Sequence, residues 1–553
     1  MGEFHGSAAS NIRKFMDLYL RNDRDGAFRL IYPESSDPKT NYMETAVHAM
    51  IELTEGMLSG STESITRSLD LFWSAEKGAN ESLDRDQLGC RITRGLSYLF
   101  GAIVQLFTGS YVKVGVNLAV GYKLIRGFEA EVLSYKSDID QDLIRSLGLL
   151  ILALLNFFSV VLPSSVLSVG DLLGIGPSKN KFEEYINMCG NEGGQFAFMA
   201  KLIRVYSVIN SKNFMFEKIS PNDLKLCRTL MDECLVSAPD SIVLRVMDAS
   251  VMLGEGRRKD AIASLSSLDL YHGDWSTMRL AVSYKLGVAY ICDFDFARAS
   301  EAFAKAADSI AASGNWHYIP FMRTLEAITY LGSVDSSATT DLDMIKSRAL
   351  EILAPTLIER DLRDTVVLPG DYWGGRKGQE YTALLQQEGW LKSHIESRGA
   401  VVDVLFALVT CLYQFDKSDL DSLKKELFNP SVVPSAKYHI VLGEYYRRIG
   451  KYNSAVAAFD DGLLVIDQLP ADRDSMAGFA LVFQGAALCY ATETETAREV
   501  LEDLDTELVK RKKFLNWSSP SGLVKPEGSE FELILSFRRN GLKQLIDASN
   551  SSK

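Results

Sequence analysis

The chain is poor in the residues that make metal centres, disulfide frameworks and redox sites. Its seven cysteines (Cys90, Cys189, Cys227, Cys234, Cys292, Cys411 and Cys489) include no C-x-x-C pair. A zinc site or a secreted disulfide scaffold needs closer clustering, so buried thiols in a reducing compartment are expected. Histidine is as scarce: His5, His48, His272, His317, His394 and His439 show no H-E-x-x-H or other ligand spacing. His48, near Glu44 and Glu52, reads as a surface or hydrogen-bonded residue, and His439 as a packing residue. Proline is sparse at 14 residues in 553, which argues against long extended linkers. Positive charge is in deficit. Fifty-nine Lys and Arg face 72 Asp and Glu, a net charge of −13. That balance argues against a surface built to neutralise nucleic-acid phosphates or anionic lipid. Met1–Ser10 has no apolar core, so no secretory leader is expected there.

Nucleotide and hydrolase motifs are also missing. No G-x-S-x-G or G-x-G-x-x-G element occurs. The run Trp373–Gly378 (WGGRKG) lacks the G-K-[ST] ending of a phosphate loop and reads as an exposed turn within the loop Asp364–Gly378. No catalytic, cofactor-binding or metal-ligating residue is assigned, and no enzyme activity is expected. The one strong basic run, Lys510–Lys513, follows Glu499, Glu502, Asp503, Asp505 and Glu507. It reads as the positive end of a helix, placed to suit the helix dipole.

What the chain does have is helical periodicity. Apolar residues recur at i, i+3 and i+4 almost throughout, and period-two alternation is short and rare. Hairpins are outlined around Asn22–Gly26, across Ser59–Thr62 and across Thr108–Ser110. From Ser146 to Gly170 there is no charged residue or histidine. A transmembrane helix is one reading of this stretch, but Pro163 interrupts it. The unbroken part, Leu147–Leu162, would reach about 24 Å as helix, short of a hydrocarbon core of about 30 Å. Burial as a central helix is the expectation, with a lipid-contacting anchor over 147–173 as the alternative. Lys179–Gly194 reads as a connection between halves.

The most informative segment is Ala436–Leu463, where Leu442, Gly443, Tyr446, Gly450, Tyr452, Ala455 and Phe459 fall at tetratricopeptide-repeat spacing. Small residues are needed where the two helices cross, and aromatics fill the space beside them. Leu280–Ala307 matches in part, through Gly287, Ala299 and Phe303, with Phe294 at the turn-glycine position. Weaker matches lie at Asp248–Leu268 (Ala249, Gly256, Ala261, Leu265) and Leu481–Leu504 (Gly485, Ala497, Leu501). The expected fold is all-α: tetratricopeptide-like hairpins in an irregular superhelix around a buried hydrophobic central helix. The expected division is 1–145 (N-terminal hairpins), 146–215 (central helix and connection) and 216–553 (repeats). In stacked repeats the first helix of each hairpin lines a concave face. On the strongest unit this places Lys437, Glu444, Arg447 and Arg448 as candidate partner-binding residues. An ordinary solvated helix face is the competing reading.

Three segments together resemble the tetratricopeptide-repeat-39 / inclusion-body-clearance family (the Iml proteins of fungi and their animal relatives). They are Phe15–Ile31 followed by the Met43–Gly78 hairpin, the stretch Leu147–Gly176 with its Leu162-Pro163 step, and the repeat at Ala436–Leu463. The chain departs from the family pattern at Gly176-Pro177-Ser178-Lys179. The resemblance implies a cytoplasmic, non-enzymatic helical adaptor without cofactor, with protein partners. It also implies a link to inclusion-body clearance, lipid droplets or lipid homeostasis.

Overall fold

The protein is described from a computed structural model. It covers the chain except residues 1, 32–40, 60, 84–86, 108–110, 136–140, 162–178, 213–215, 217–218, 270–274, 313–316, 336–340, 358–368, 413–418, 468–474, 515–537, 540 and 550–553. The described residues are helical, with no strand among them. They form two compact units, Met1–Ser207 with Lys225–Asp248, and Val208–Leu224 with Ala249–Lys553.

The first unit contains α1 (Gly2–Leu20), α2 (Arg24–Ile31), α3 (Tyr42–Ser59), α4 (Thr62–Glu81), α5 (Gln87–Phe107), α6 (Tyr111–Ser134), α7 (Gln141–Val161), α8 (Lys179–Asn191) and α9 (Ala197–Tyr206). Helices α10 (Pro221–Ser237) and α11 (Ile242–Gly254) each have residues in both units. Neighbours in sequence pack as neighbours in space: α3 on α4, α4 on α5, α5 on α6, and α7 on α8.

Helix α7 carries the uncharged stretch and is covered by α5, α6 and α8. From Leu147 to Leu155 no apolar side chain is more than 6% exposed. Each such leucine contributes roughly 1.5–3 kcal/mol by leaving water. Gly148 makes the approach of α6 possible, because a Cβ there would lie 2.7 Å from Val132 Cγ2. Asn156, the polar intruder, donates from Nδ2 to the Leu152 carbonyl at 2.8 Å. Arg145 caps α6 by donating to the carbonyls of Val132, Leu133 and Tyr135 at 2.6–3.1 Å, and it holds Glu192, the residue after α8, through both carboxylate oxygens. Residues 179–191, within the expected connection, form a helix packed on α7. No described helix is long and apolar enough to cross a membrane. Residues 162–178, with the Leu162-Pro163 step and the far half of the supposed anchor, lie outside the described residues.

The second unit contains α12 (Arg258–Asp269), α13 (Ser276–Cys292), α14 (Phe296–Ala312), α15 (Ile319–Ser333), α16 (Leu342–Leu353), α17 (Pro369–Gln386), α18 (Trp390–Glu396), α19 (Gly399–Ala407), α20 (Asp419–Leu427), α21 (Ala436–Arg448), α22 (Tyr452–Ile466), α23 (Ser475–Tyr490) and α24 (Thr494–Phe514), followed by helical residues 541–549. It has its own apolar core, in which Phe303, Phe459, Phe479 and Phe483 are fully buried.

Five hairpins share one turn, which identifies them as tetratricopeptide-like. The first helix ends in a left-handed residue: Asn22 (φ 66°), Gly256 (79°), Phe294 (60°), Gly450 (80°) or Thr492 (69°). The next residue returns its N–H to the carbonyl five positions back: Asp23 to Leu18, Arg257 to Met252, Asp295 to Tyr290, Lys451 to Tyr446 and Glu493 to Leu488, all at 2.8–2.9 Å. That bond satisfies a carbonyl the helix end would otherwise leave open. Five residues after each left-handed position stands an alanine (Ala27, Ala261, Ala299, Ala455 or Ala497), each 0% exposed. A larger side chain there would force the helices apart.

The glycine-rich segment around Trp373 is not an exposed turn. It lies within α17, and residues 358–368 fall outside the described part. A Cβ at Gly374 would lie 2.2 Å from the Phe321 nitrogen, and one at Gly378 would lie 2.2 Å from Thr356 Oγ1. The glycines serve close helix packing, and Thr324 Oγ1 donates to the Gly374 carbonyl at 2.8 Å. Lys377 is buried and pairs with Glu380 at 2.6 Å.

Thr492 is exposed and β-branched, and a left-handed backbone costs such a residue about 1–2 kcal/mol. Thr492→Gly is expected to raise stability by about 0.5–1 kcal/mol, after the greater unfolded-state freedom of glycine is subtracted. Gly450→Thr is expected to lower it by about 1–2 kcal/mol. Urea unfolding of both variants checks this.

Candidate partner-binding face

Helix α21 begins with Ser435, whose hydroxyl accepts the Tyr438 N–H, and ends at the Gly450 turn. Its interior crossing point is Gly443, where a Cβ would lie 2.5 Å from the Phe459 ring. Lys437, Glu444, Arg447 and Arg448 are spaced by seven, three and one, so they share one side of this helix. The structure divides them between two polar clusters.

Glu444, Arg447 and Arg448 form the first cluster. Arg447 donates from Nε and Nη2 to the two oxygens of Glu444 at 2.7 and 2.6 Å, and Arg448 Nε reaches the same carboxylate at 2.7 Å. Glu444 is 2% exposed and Arg447 7%, while the Arg448 side chain retains 24%. Burial alone would push the Glu444 carboxyl up. The two guanidiniums outweigh that and hold it down at about 2.

The Arg447 guanidinium carbon lies 5.6 Å from the Phe216 ring centroid, and that of Arg538 lies 5.1 Å from it. Phe483 of α23 meets Phe216 edge-on, with centroids 5.6 Å apart. The Tyr490 hydroxyl donates to the Phe216 carbonyl at 2.5 Å. Tyr490 in turn stacks on Tyr452 at the start of α22.

Lys437 belongs to the second cluster, whose centre is Asp403 of α19. Its ammonium donates to Asp403 Oδ1 at 2.6 Å. Tyr381 of α17 donates to Asp403 Oδ2, and His394 Nε2 of α18 lies 3.1 Å from that oxygen. His394 stacks on Trp390 at 4.3 Å. Lys437 also lies 5.6 Å from the centre of the Tyr381 ring. Burial works against the Asp403 charge, but Lys437 and His394 overcome it and keep the carboxyl well below its usual range. One carboxylate thus ties α17, α18, α19 and α21 together.

Other sequence candidates have packing surroundings. His439 faces Asp461 at 3.9 Å, and burial pushes its pKa down. His48 is buried against Phe28, 3.7 Å from Glu52. Six cysteines are free and buried; the Cys411 side chain is outside the described set. Among the described residues no group of His, Cys, Asp or Glu could hold a metal ion. The Lys510–Lys513 run continues α24, and its side chains are not described. Sequence reasoning missed Phe216, Phe483, Tyr490 and Arg538. Their meeting spans up to 322 positions (538 less 216), and no local spacing signals it.

No protein-family model matches the chain, and no curated protein matches it. Among solved structures, the APC/C hetero-tetramer Cut9-Hcn1 aligns over 97% of this chain and 95% of that one, at 10% identity and a TM-score of 0.25. The P58(IPK) TPR domain aligns over 82% of this chain and 99% of that one, at 14% identity and a TM-score of 0.18. Both TM-scores are low, and the tetratricopeptide-like character of this chain rests on its own turn geometry.

Removing the Glu444 charge leaves Arg447 buried without its counter-ion. Glu444→Gln is therefore expected to cost about 3 kcal/mol at neutral pH. The folded-state value of about 2 lies below the ordinary 4.5. The stabilisation is thus complete above about pH 4.5 and is lost as the pH falls towards 2. Denaturant unfolding from pH 7 to pH 3 should show wild type losing stability below pH 4.5, and the Gln variant losing less of it.

Proposed function

We propose that this chain is a non-enzymatic helical-repeat adaptor that binds other proteins through the α21 side of its second unit. The observation that carries the reading is the shared turn at Asn22, Gly256, Phe294, Gly450 and Thr492, each followed five residues later by a buried alanine. Hairpins of this kind cannot bury their apolar sides alone. Where such hairpins stack within one unit, their first helices form a surface suited to extended partners. Arg448 shares the Glu444 carboxylate with the buried Arg447 and keeps more of its side chain in water, so it is the arginine we assign to a partner carboxylate. Burial of Leu147–Leu155 inside the first unit favours this over a lipid anchor at 147–173. The narrower role, in inclusion-body clearance or lipid homeostasis within the cytoplasm, is supported by the family resemblance of the sequence.

The test is quantitative co-purification of the cross-linked full chain from cells, comparing wild type with Arg448→Glu at matched thermal stability. At least one partner is expected to fall fivefold or more in the variant. A partner set unchanged by Arg448→Glu removes this side of α21 from the account, and an empty wild-type set contradicts the adaptor reading.

A further inference from the structure

The residue that follows α20 is an exposed phenylalanine. Phe428 is 50% exposed, and its ring meets Tyr445 and Tyr446 of α21 edge-on, with centroids 6.2 and 6.5 Å away. The two tyrosine rings lie 5.6 Å from one another. Ile449 comes one turn later on the same side of α21 and is 37% exposed. Single exposed apolar side chains are ordinary on a protein surface. A contiguous set rich in aromatics is instead the composition of an interface centre.

The rim of this patch is cationic. Lys424 and Lys425 stand one turn before Phe428, are exposed, and make no ion pair with a described residue. Arg448 stands one turn past Tyr445 and keeps 24% of its side chain in water. Of the described acids of α20, Glu426 is held by Arg398, which leaves Asp421 against the two lysines. The local sign is thus opposite to the chain's net charge of −13. Exposed charges act over a Debye length of about 10 Å at roughly 0.1 M salt, so a short segment seated on Phe428 feels these cations first. An anionic bilayer would face the net negative charge as well. A two-fold contact between copies through this patch would set lysines against lysines.

We infer that the Phe428 patch docks an acidic segment of a partner protein. A large apolar side chain of the segment sits on Phe428, Tyr446 and Ile449, and flanking Asp or Glu residues face Lys424, Lys425 and Arg448. This rests on the adaptor reading and specifies the chemistry of its partner.

The test pans a phage-displayed library of random dodecapeptides on the full chain and measures the selected peptides by fluorescence anisotropy. They are expected to carry Phe, Leu or Trp flanked by Asp or Glu. They should bind Phe428→Ser and the double variant Lys424→Glu/Lys425→Glu at least tenfold more weakly than wild type. All three positions are exposed, and the double variant gives a second reading should Phe428→Ser fail to fold. It should also bind the same peptides once their acids are replaced by lysine, a gain that loss of structure would not produce. An empty selection, selected peptides without acids, or equal binding by wild type and both variants overturns the inference. So does a dimer that Phe428→Ser dissociates, or Phe428-dependent co-sedimentation with phosphatidylcholine vesicles containing phosphatidylserine. In any of these events partners that depend on Arg448 would still be recovered if the adaptor reading is right, so the two claims fail separately.

Discussion

Two helices of a hairpin can cross as closely as α21 and α22 do only where one of them has no side chain at the crossing. Gly443 supplies that place for the Phe459 ring, and Gly287 supplies it for Phe303 sixteen residues later in the same way. The left-handed turn then sits seven residues past the glycine, and the buried alanine five past the turn. In these two hairpins the offsets fix where the chain turns and which side each helix buries. The remaining polar and aromatic contacts of the second unit are consequences of that register. In the last hairpin the space beside Gly485 is taken by Leu542 of residues 541–549, which covers an otherwise open end.

With the register set, the polar groups of α21 are carried into low-dielectric surroundings and must be neutralised there. Glu444 does this for Arg447, and Asp403 for Lys437. Such buried pairs add little net stability relative to apolar packing, but breaking one leaves an uncompensated charge. They therefore specify how α19, α21 and their neighbours meet more than they strengthen the meeting.

The strongest hairpin was legible in sequence because its turn and crossing are both glycine. Others were faint because the same backbone is imposed on residues that do not advertise it. Asn22 tolerates the left-handed region, whereas Phe294 and Thr492 adopt it at a steric cost. The Trp373–Gly378 run illustrates the opposite error. Glycines that read as a turn are in fact the means by which α17 approaches Phe321 and Thr356. The α21 residues were legible as a set from their spacing. Their partners were not, because Asp403 lies 34 positions from Lys437, and Phe216 lies 274 from Tyr490. Pattern analysis sees one helix at a time, whereas burial and charge pairing are decided by elements far apart in the chain.

The central claim is that close crossing at a glycine governs the α13–α14 and α21–α22 hairpins, and a double-mutant cycle between Gly443 and Phe459 tests it most directly. Gly443→Ala should destabilise by about 1–3 kcal/mol despite the better helix propensity of alanine, because its Cβ meets the ring. Phe459→Ala should cost about 3–5 kcal/mol through the cavity it leaves. The propensity term cancels in the cycle, so the interaction itself is measured. The account predicts that the double variant is more stable than the sum of the single losses by at least about 1 kcal/mol, since the vacated ring makes room for the methyl group. Additive losses would show that the crossing is not limited by this contact and would contradict the account.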